Sequence, residues 1–242
     1  MTDLEKIKEI IKKSDSVVFF GGAGVSSGSG IPDFRGSGGL YTEDYDDTPP
    51  EEILHISYLM SHPHEFYKYY RANMIYPNAE PNDAHKSLAK LEEKGKLDLV
   101  ITQNIDGLHQ RAGNERVVEL HGSVDKNYCI GCGKKYDLDY ILDTSTVPYC
   151  EDCGEMVRPD VAIYGESLDP PKLYRAVNAI YDADVFIVGG TSLTVNPAAS
   201  LVENYEGKHL IIINRDPTPY DHLAEFVIID DICKVLKFIA ED

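Results

Sequence analysis

Five continuous apolar runs constrain the fold of this chain more than any other feature. They are SVVFF at 16–20, LDLVIT at 97–102, VVEL at 117–120, DVFIVG at 184–189 and KHLIII at 208–213. Their apolar residues are consecutive rather than alternating, which is typical of strands buried on both faces of a parallel sheet. Helical patterns separate them, so the sequence predicts an α/β fold with a doubly wound parallel sheet.

The predicted helices have recognisable starts and stops. The segment 83–94 has Asn82 or Asp83 as its cap, and the segment 170–182 opens on prolines. Pro197, preceded by Asn196 as a cap, predicts a further helix. The first 15 residues and 231–240 complete the set as amphipathic helices.

Four of the five cysteines form two C-x2-C motifs. Cys129, Cys132, Cys150 and Cys153 are spaced C-x2-C-x17-C-x2-C. This spacing is typical of two thiolate knuckles that close a tetrahedral S4 site on zinc. Because sulfur fills all four positions, we expect one structural zinc ion rather than a catalytic one.

Two segments break the alternation of strand and helix. Residues 41–76 are helical and rich in tyrosine, and 126–158 hold the cysteine pairs among turn residues. We therefore predict a Rossmann-like domain made of 1–40, 77–125 and 159–242. The helical insertion 41–76 and the zinc ribbon 126–158 are predicted to form a smaller lobe within one unit, 1–242.

The charge balance limits the partners that we expect. The chain has 41 acidic residues against 23 lysines and arginines, a formal net charge of −18. This argues against nucleic acid and anionic membranes, which need a basic surface, and is compatible with lysine-rich peptides. With no export signal and reduced or metal-bound cysteines, we expect a cytoplasmic protein.

A glycine-rich loop follows the first apolar run. In GGAGVSSGSGIPDFRG the glycines at 22, 24 and 28 do not have the G-x-G-x-x-G spacing, and alone they indicate no more than close packing. However, GTSL at 190–193 and Asn214 also follow predicted strands. Because the carboxyl ends of parallel strands meet in one crevice, three such segments favour a nucleotide site.

Two further polar clusters follow predicted strands. ITQNIDGLHQRAG brings Gln103, Asn104 and Asp106 to the crevice, although Asn and Asp are also common helix caps. VVELHGS places His121 directly after another strand. A histidine there, beside a nucleotide, is a candidate general base.

The motifs GAGVSSGSGIPDFRG, TQNIDGLHQRAG, ELHGS, the paired CxxC, RPDVAIYGE, GTSLTVNPAA and IIIN occur in this order. Together they resemble the sirtuins, NAD-dependent protein lysine deacylases, over essentially the whole chain. The resemblance implies that acetyl or similar neutral acyl groups are removed from lysine side chains of proteins. NAD is then a co-substrate, and the products are nicotinamide, O-acyl-ADP-ribose and free lysine.

The resemblance also implies roles for individual residues. His121 is the general base and Asn104 orients the ribose and a water molecule. Asp106 and Ile105 hold the nicotinamide carboxamide, and Phe34 covers the reactive centre. The rest of the predicted NAD site consists of Ala23, Gly24, Ser27, Asp33, Arg35, Gln103, Thr191, Ser192, Asn214 and Ile232. The substrate peptide is expected to pair as a strand between 161–166 and the region around Val195.

The acyl preference follows from one departure from the family. Some sirtuins bind acidic acyl groups through a tyrosine and an arginine three residues later. Here Tyr70 stands three residues after Tyr67, and Arg71 is displaced by one position. One residue rotates a side chain by about 100° around a helix, so we expect acidic acyl groups to be poor substrates.

Two other classes of protein stay open on the residues alone. An NAD-dependent dehydrogenase also binds NAD in an α/β crevice, but the acidic residue expected on its ribose about 20 residues beyond the glycine loop is missing. A non-catalytic NAD-sensing or zinc-ribbon module has no need of His121 or Asn104, and this chain has both.

Overall fold

The computed structural model describes residues 1–34, 39–41 and 44–241. The strands are β1 (Val17–Gly21), β2 (Leu97–Thr102), β3 (Val117–Glu119), β4 (Gly122–Cys129), β5 (Lys135–Tyr136), β6 (Val157–Val161), β7 (Val185–Gly189), β8 (His209–Asn214) and β9 (Phe226–Ile229). The helices are α1 (Asp3–Lys13), α2 (Pro50–Ile53), α3 (Ile56–Ser61), α4 (Pro63–Asn73), α5 (Asp83–Glu93), α6 (Leu108–Arg111), α7 (Leu138–Asp143), α8 (Pro170–Asp182) and α9 (Ile232–Ala240).

The large sheet has six strands in the order β3-β2-β1-β7-β8-β9, and every pairing in it is parallel. This is the strand order of the Rossmann fold, whose direction of winding reverses at β1 and β7. All residues of β1 and β7 are buried. The continuous apolar runs therefore predicted the doubly wound sheet correctly.

Strand β9 has no counterpart among the predicted strands. It lies at the edge of the sheet, and exposed Val227 and Ile229 alternate with partly buried residues. Its sequence, FVII, is four residues long and is buried on one face only. Such a short run carries too little of the two-sided pattern that identified the other strands.

Helices cover both faces of the large sheet. Helices α1, α5 and α9 pack on one face and α8 on the other.

The predicted helix capped by Asn196 is wrong: a 3-10 helix begins at Ala199 with Ala198 as its cap, and it ends at Asn204. Leu201 N donates to Ala198 O at 3.2 Å, an i−3 bond of the 3-10 type in place of the i−4 bond of an α-helix. No helix of the described residues is long and apolar enough to span a bilayer.

A second, antiparallel sheet has the order β5-β4-β6 and carries the cysteine pairs near its ends. Between residue 44 and residue 76 the chain forms α2, α3 and α4 and no strand. A single hydrophobic cluster joins these helices to the small sheet. It includes Leu59, Phe66 and Tyr70 from the helices, Val124 of β4, Ile141 of α7, Val157 of β6 and Ile163, which follows β6.

Candidate active site

The carboxyl ends of the central strands lie side by side. Gly21 of β1 is in register with Thr102 of β2 and with Gly189 of β7, and Gly189 is in register with Ile213 of β8. The glycine loop, TQNID, GTSL and Asn214 all follow these positions. These segments therefore meet at one edge of the sheet, as the sequence predicts, and a nucleotide bound there stays a prediction.

Two glycine turns touch at the centre of this crevice. Gly24 N donates to Gly190 O at 2.8 Å, and a Cβ at Gly24 would lie 2.8 Å from that same oxygen. A Cβ at Gly22 would lie 2.9 Å from Thr191 Cβ, and Gly190 has a φ of +59°. No larger residue fits at these positions, so close packing accounts for part of the glycine pattern. The contact of Gly24 with NAD stays a prediction.

The hydroxyl of Ser26 connects two predicted site residues. Its Oγ donates to Asp106 Oδ2 at 2.6 Å and accepts from Asn104 Nδ2 at 2.9 Å. Ser26 is only 1% exposed. We did not assign it a role from the sequence, because a serine in a serine- and glycine-rich loop carries no signal of its own. The structure places it as the link between the glycine loop and the TQNID segment.

Gln103 links the TQNID segment to two other strand ends. Its Nε2 lies 3.1 Å from Thr191 Oγ1, after β7. Its backbone carbonyl lies 2.8 Å from His121 Nδ1, after β3. Since a carbonyl oxygen only accepts, Nδ1 carries the proton in the neutral ring and Nε2 keeps its lone pair. His121 is thus held in the tautomer that a general base acting through Nε2 requires.

Burial shifts the pKa values of His121 and Asp106 in opposite directions. Burial lowers the pKa of His121 below its ordinary value, and the hydrogen bond to Gln103 O offsets only part of this effect. Burial raises the pKa of Asp106, although the hydrogen bonds from Ser26 and from the Leu108 N–H oppose it. A lowered pKa keeps His121 neutral, and therefore basic, at physiological pH.

The remaining predicted NAD residues that the structure describes have mostly local contacts. Ala23 begins a 3-10 turn, and Ser27 begins the next one. The backbone oxygens of Asp33 and Phe34 accept from Leu40 and Tyr41, and the rings of Phe34 and Tyr41 are 5.1 Å apart. Arg35 lies outside the described residues.

Four further predicted NAD residues follow or end other strands, or begin α9: Ile105, Ser192, Asn214 and Ile232. The carbonyl of Ile105 accepts from Val124 N at 3.0 Å, and Ser192 Oγ lies 2.9 Å from Thr194 Oγ1. Asn214 Nδ2 donates to Asp216 O at 2.8 Å. Ile232 is buried under the sheet, with its Cδ1 closest to the Cβ position of Gly189. None of these contacts involves a ligand, so their NAD contacts stay predictions.

The four predicted zinc ligands converge. The sulfur atoms of Cys129, Cys132, Cys150 and Cys153 all lie within 4.8 Å of one another. Two of the separations are 3.3 Å (Cys129 to Cys153) and 3.6 Å (Cys132 to Cys150). A tetrahedral site with Zn–S bonds of about 2.3 Å has sulfur atoms about 3.8 Å apart, so this cluster fits zinc. The N–H of Gly131 points at Cys129 Sγ at 3.4 Å, as in a zinc knuckle.

A partly buried ion pair contacts the segment 161–166, which we predict to bind the substrate peptide. Arg158 donates to both carboxylate oxygens of Glu166, at 2.6 and 2.8 Å, and to Val161 O at 3.0 Å. Glu166 also accepts the backbone N–H of Ile163 at 3.1 Å. The segment is thereby held in one conformation, and Ala162 N donates to His121 O at its start.

Comparison with known proteins assigns a family to this arrangement. Residues 22–197 match the model of the Sir2 family. An NAD-dependent protein deacetylase of Clostridium perfringens (strain 13 / Type A) is 53% identical over 96% of this chain and 96% of its own length.

Two solved structures are similar over nearly the whole chain. A Sir2 structure with a p53 peptide and NAD+ has a TM-score of 0.86 and 40% identity, and covers 98% of this chain and 96% of its own. A Sir2 variant with a deacetylated p53 peptide and 3′-O-acetyl-ADP-ribose has a TM-score of 0.89 and 40% identity, covering 98% and 97%.

Proposed function

The chain belongs to the Sir2 family, and on that premise we propose that it is an NAD-dependent protein deacetylase. It removes acetyl or similar neutral acyl groups from lysine side chains of proteins. Nicotinamide, O-acyl-ADP-ribose and free lysine are the products. The ADP-ribose part of NAD accepts the acyl group, so NAD is consumed in the reaction.

The observation that carries this function is the position of His121. The Gln103 carbonyl fixes its tautomer, its pKa is lowered, and it stands at the crevice where the strand ends meet. A neutral imidazole with a free Nε2 is suited to take a proton from a ribose hydroxyl. We assign His121 as the general base on this ground.

The residues around the crevice have the chemistry that NAD requires. The Asp106 carboxyl and the backbone of Ile105 are suited to hold the nicotinamide carboxamide. Asn104, oriented by Ser26, is suited to bind the ribose and a water molecule. Phe34 supplies an apolar cover that keeps water from the reactive carbon. We assign these roles as proposals.

The zinc site has a structural role. All four coordination positions belong to cysteine sulfur, so no position is open to water or substrate. The cluster that joins 41–76 to 126–158 also includes Val124, Val161 and Ile163 at the borders of the second segment. It supports a smaller lobe, with 1–40, 77–125 and 159–242 proposed as the NAD-binding domain. Zinc would hold the ribbon half of the smaller lobe together.

The proposed protein partners are acyl-lysine segments. One Sir2 relative was solved with a p53 peptide, and the acidic charge of this chain, −18, suits lysine-rich peptides. The segment 161–166, held by the Arg158–Glu166 pair, is the proposed peptide-binding strand. We propose the cytoplasm as the compartment, with neither membrane nor nucleic acid as a direct partner.

Product analysis tests the function. An acetyl-lysine peptide is incubated with NAD and the protein, and the products are identified by mass spectrometry. Deacetylation requires free nicotinamide and O-acetyl-ADP-ribose in equal amounts with the deacetylated peptide. A dehydrogenase would instead reduce NAD without releasing nicotinamide, and absorbance of NADH distinguishes the two. The matched control is His121→Ala, which should release little of any product.

A further inference from the structure

Asn82 joins helix α5 to the glycine loop through both ends of its side-chain amide. The sequence motifs assign it no role beyond that of a possible helix cap. Its Oδ1 accepts from Ala84 N at 2.9 Å and from His85 N at 3.4 Å, and so caps α5. Its Nδ2 donates to Val25 O at 2.8 Å and to Ser29 Oγ at 3.0 Å. One end of the amide therefore belongs to the helix and the other to the loop.

The two loop atoms that Asn82 binds lie on either side of Ser26. Ser26 itself bonds to Asn104 and Asp106 on the crevice side. The loop is thus held from both sides, by Ser26 towards the crevice and by Asn82 towards α5. Gly28 packs onto this contact as well, since a Cβ there would lie 3.2 Å from Asn82 Nδ2.

Further contacts hold Asn82 and the start of α5 in place. Asn82 N donates to His85 Nδ1 at 3.3 Å, which completes the capping box of α5. The ring of His85 is fully buried and lies 4.7 Å from the ring of His109, which belongs to α6. Helix α6 begins two residues after Asp106. The base of the loop and the segment that follows Asp106 are therefore tied to the same helix start.

We propose that Asn82 is a positioning residue for NAD. Its amide nitrogen donates to Val25 and Ser29 rather than to a residue of the predicted cofactor site that the structure describes. It acts through Val25 and Ser29, by keeping the loop in the conformation that receives NAD. A loop that occupies this conformation for only part of the time binds its ligand more weakly, in proportion to that fraction. The proposal rests on the proposed function, since it assumes that the loop binds NAD.

Two substitutions separate the loop contact from the helix cap. Asn82→Asp and Asn82→Ser both keep a side-chain oxygen that caps α5, because Asp and Ser are good N-caps. Both remove the amide donor to Val25 O. We expect KM for NAD and the Kd for NAD measured by titration calorimetry to rise about tenfold. The kcat and the KM for the acetyl peptide should change by less than about twofold.

A matched control removes a cap elsewhere. Thr2→Ala breaks the capping box of α1, in which Thr2 Oγ1 accepts from Glu5 N and the Glu5 carboxylate accepts from Thr2 N. This variant should lose thermal stability and keep the wild-type Kd for NAD. Amide hydrogen exchange of residues 25–30 should be faster in Asn82→Ser than in Thr2→Ala or the wild type. A residue that only caps α5 would not produce this difference.

The outcomes separate this proposal from the proposed function. An unchanged Kd for NAD in both Asn82 variants overturns the positioning role, as does an equal rise in KM for NAD and for the peptide. A wild-type protein that binds no NAD overturns the proposed function itself. A wild-type protein that binds NAD, with weaker binding in the two Asn82 variants alone, supports both.

Discussion

Removing the charge of Glu166 tests whether its partly buried ion pair with Arg158 stabilises the segment 161–166. Arg158 is 8% exposed and Glu166 25% exposed in their side chains. Breaking a fully buried pair costs about 3–5 kcal/mol. Because Glu166 is partly hydrated and glutamine keeps one acceptor, we expect Glu166→Gln to cost about 2 kcal/mol. For a chain of this size that lowers Tm by about 4–8 °C.

The pH dependence gives a second measurement of the same pair. Burial alone would raise the pKa of Glu166, but the hydrogen bonds from Arg158 and Ile163 and the charge of Arg158 hold it below its ordinary value. A lowered folded-state pKa contributes stability above the unfolded-state pKa, and this is lost as pH falls through the folded value. The difference in Tm between wild type and Glu166→Gln should therefore shrink in acid.

The assay is thermal unfolding, followed by peptide kinetics, with an exposed pair as control. Asp46 and Lys68 are 2.8 Å apart and are 72% and 56% exposed. Asp46→Asn should leave Tm unchanged, because exposed pairs contribute little. Glu166→Gln should also raise KM for the acetyl peptide more than KM for NAD. A Tm equal to that of Asp46→Asn at neutral pH would refute the reasoning.

Three further predictions concern the base, the metal and the acyl group. His121→Ala should lower kcat by about 10²–10⁴ and keep zinc content and Tm; the acid limb of the wild-type pH profile should lie below the ordinary pKa of histidine, because burial lowers that of His121. Activity near that of the wild type would exclude His121 as the base. Elemental analysis should find one zinc per chain, and chelation should unfold 126–158 and abolish activity, since metal binding stabilises the fold of such ribbons; a folded, active apoprotein would contradict this. A succinyl-lysine peptide should have a lower kcat/KM than the acetyl peptide. The Arg71 guanidinium lies over the Tyr67 ring, 5.1 Å from its centroid, but it donates to Ile141 O and Thr146 O, at 2.8 and 2.5 Å. The Tyr67 hydroxyl donates to Val157 O, so both side chains already bond to backbone carbonyls. Equal efficiency on the two peptides would show that a cation reaches the acyl group.

The sequence predicts the large sheet and the metal cluster well because both have local signatures. Five of the six strands are continuous apolar runs, and the cysteine spacing alone brings two knuckles together. The edge strand β9 was missed because half of its residues face solvent. The helix predicted at Pro197 was wrong because the backbone there pairs as a 3-10 helix that begins only at Ala199, which a capping pattern does not reveal.

The predicted site residues converge as expected, but the links between them were not predictable. Ser26 joins Asn104 to Asp106, and Asn82 joins the glycine loop to α5. A serine or an asparagine in such positions looks like an ordinary loop residue or helix cap. Its partner is decided by tertiary contacts between segments about 55 to 80 residues apart, for which local patterns contain no information.

The central strand of the large sheet is also the first strand of the chain. Val17 pairs with Leu97 on one side, but its partner on the other side is Val185. During synthesis, the second edge of β1 therefore stays open until the whole cysteine segment has emerged, and an open apolar edge is prone to mispairing. A ribbon closed on its metal shortens the flexible connection that must be crossed before β7 docks, which lowers the entropy cost of that step. We therefore expect a ribbon closed on zinc to shorten the time for which this edge of β1 stays unpaired.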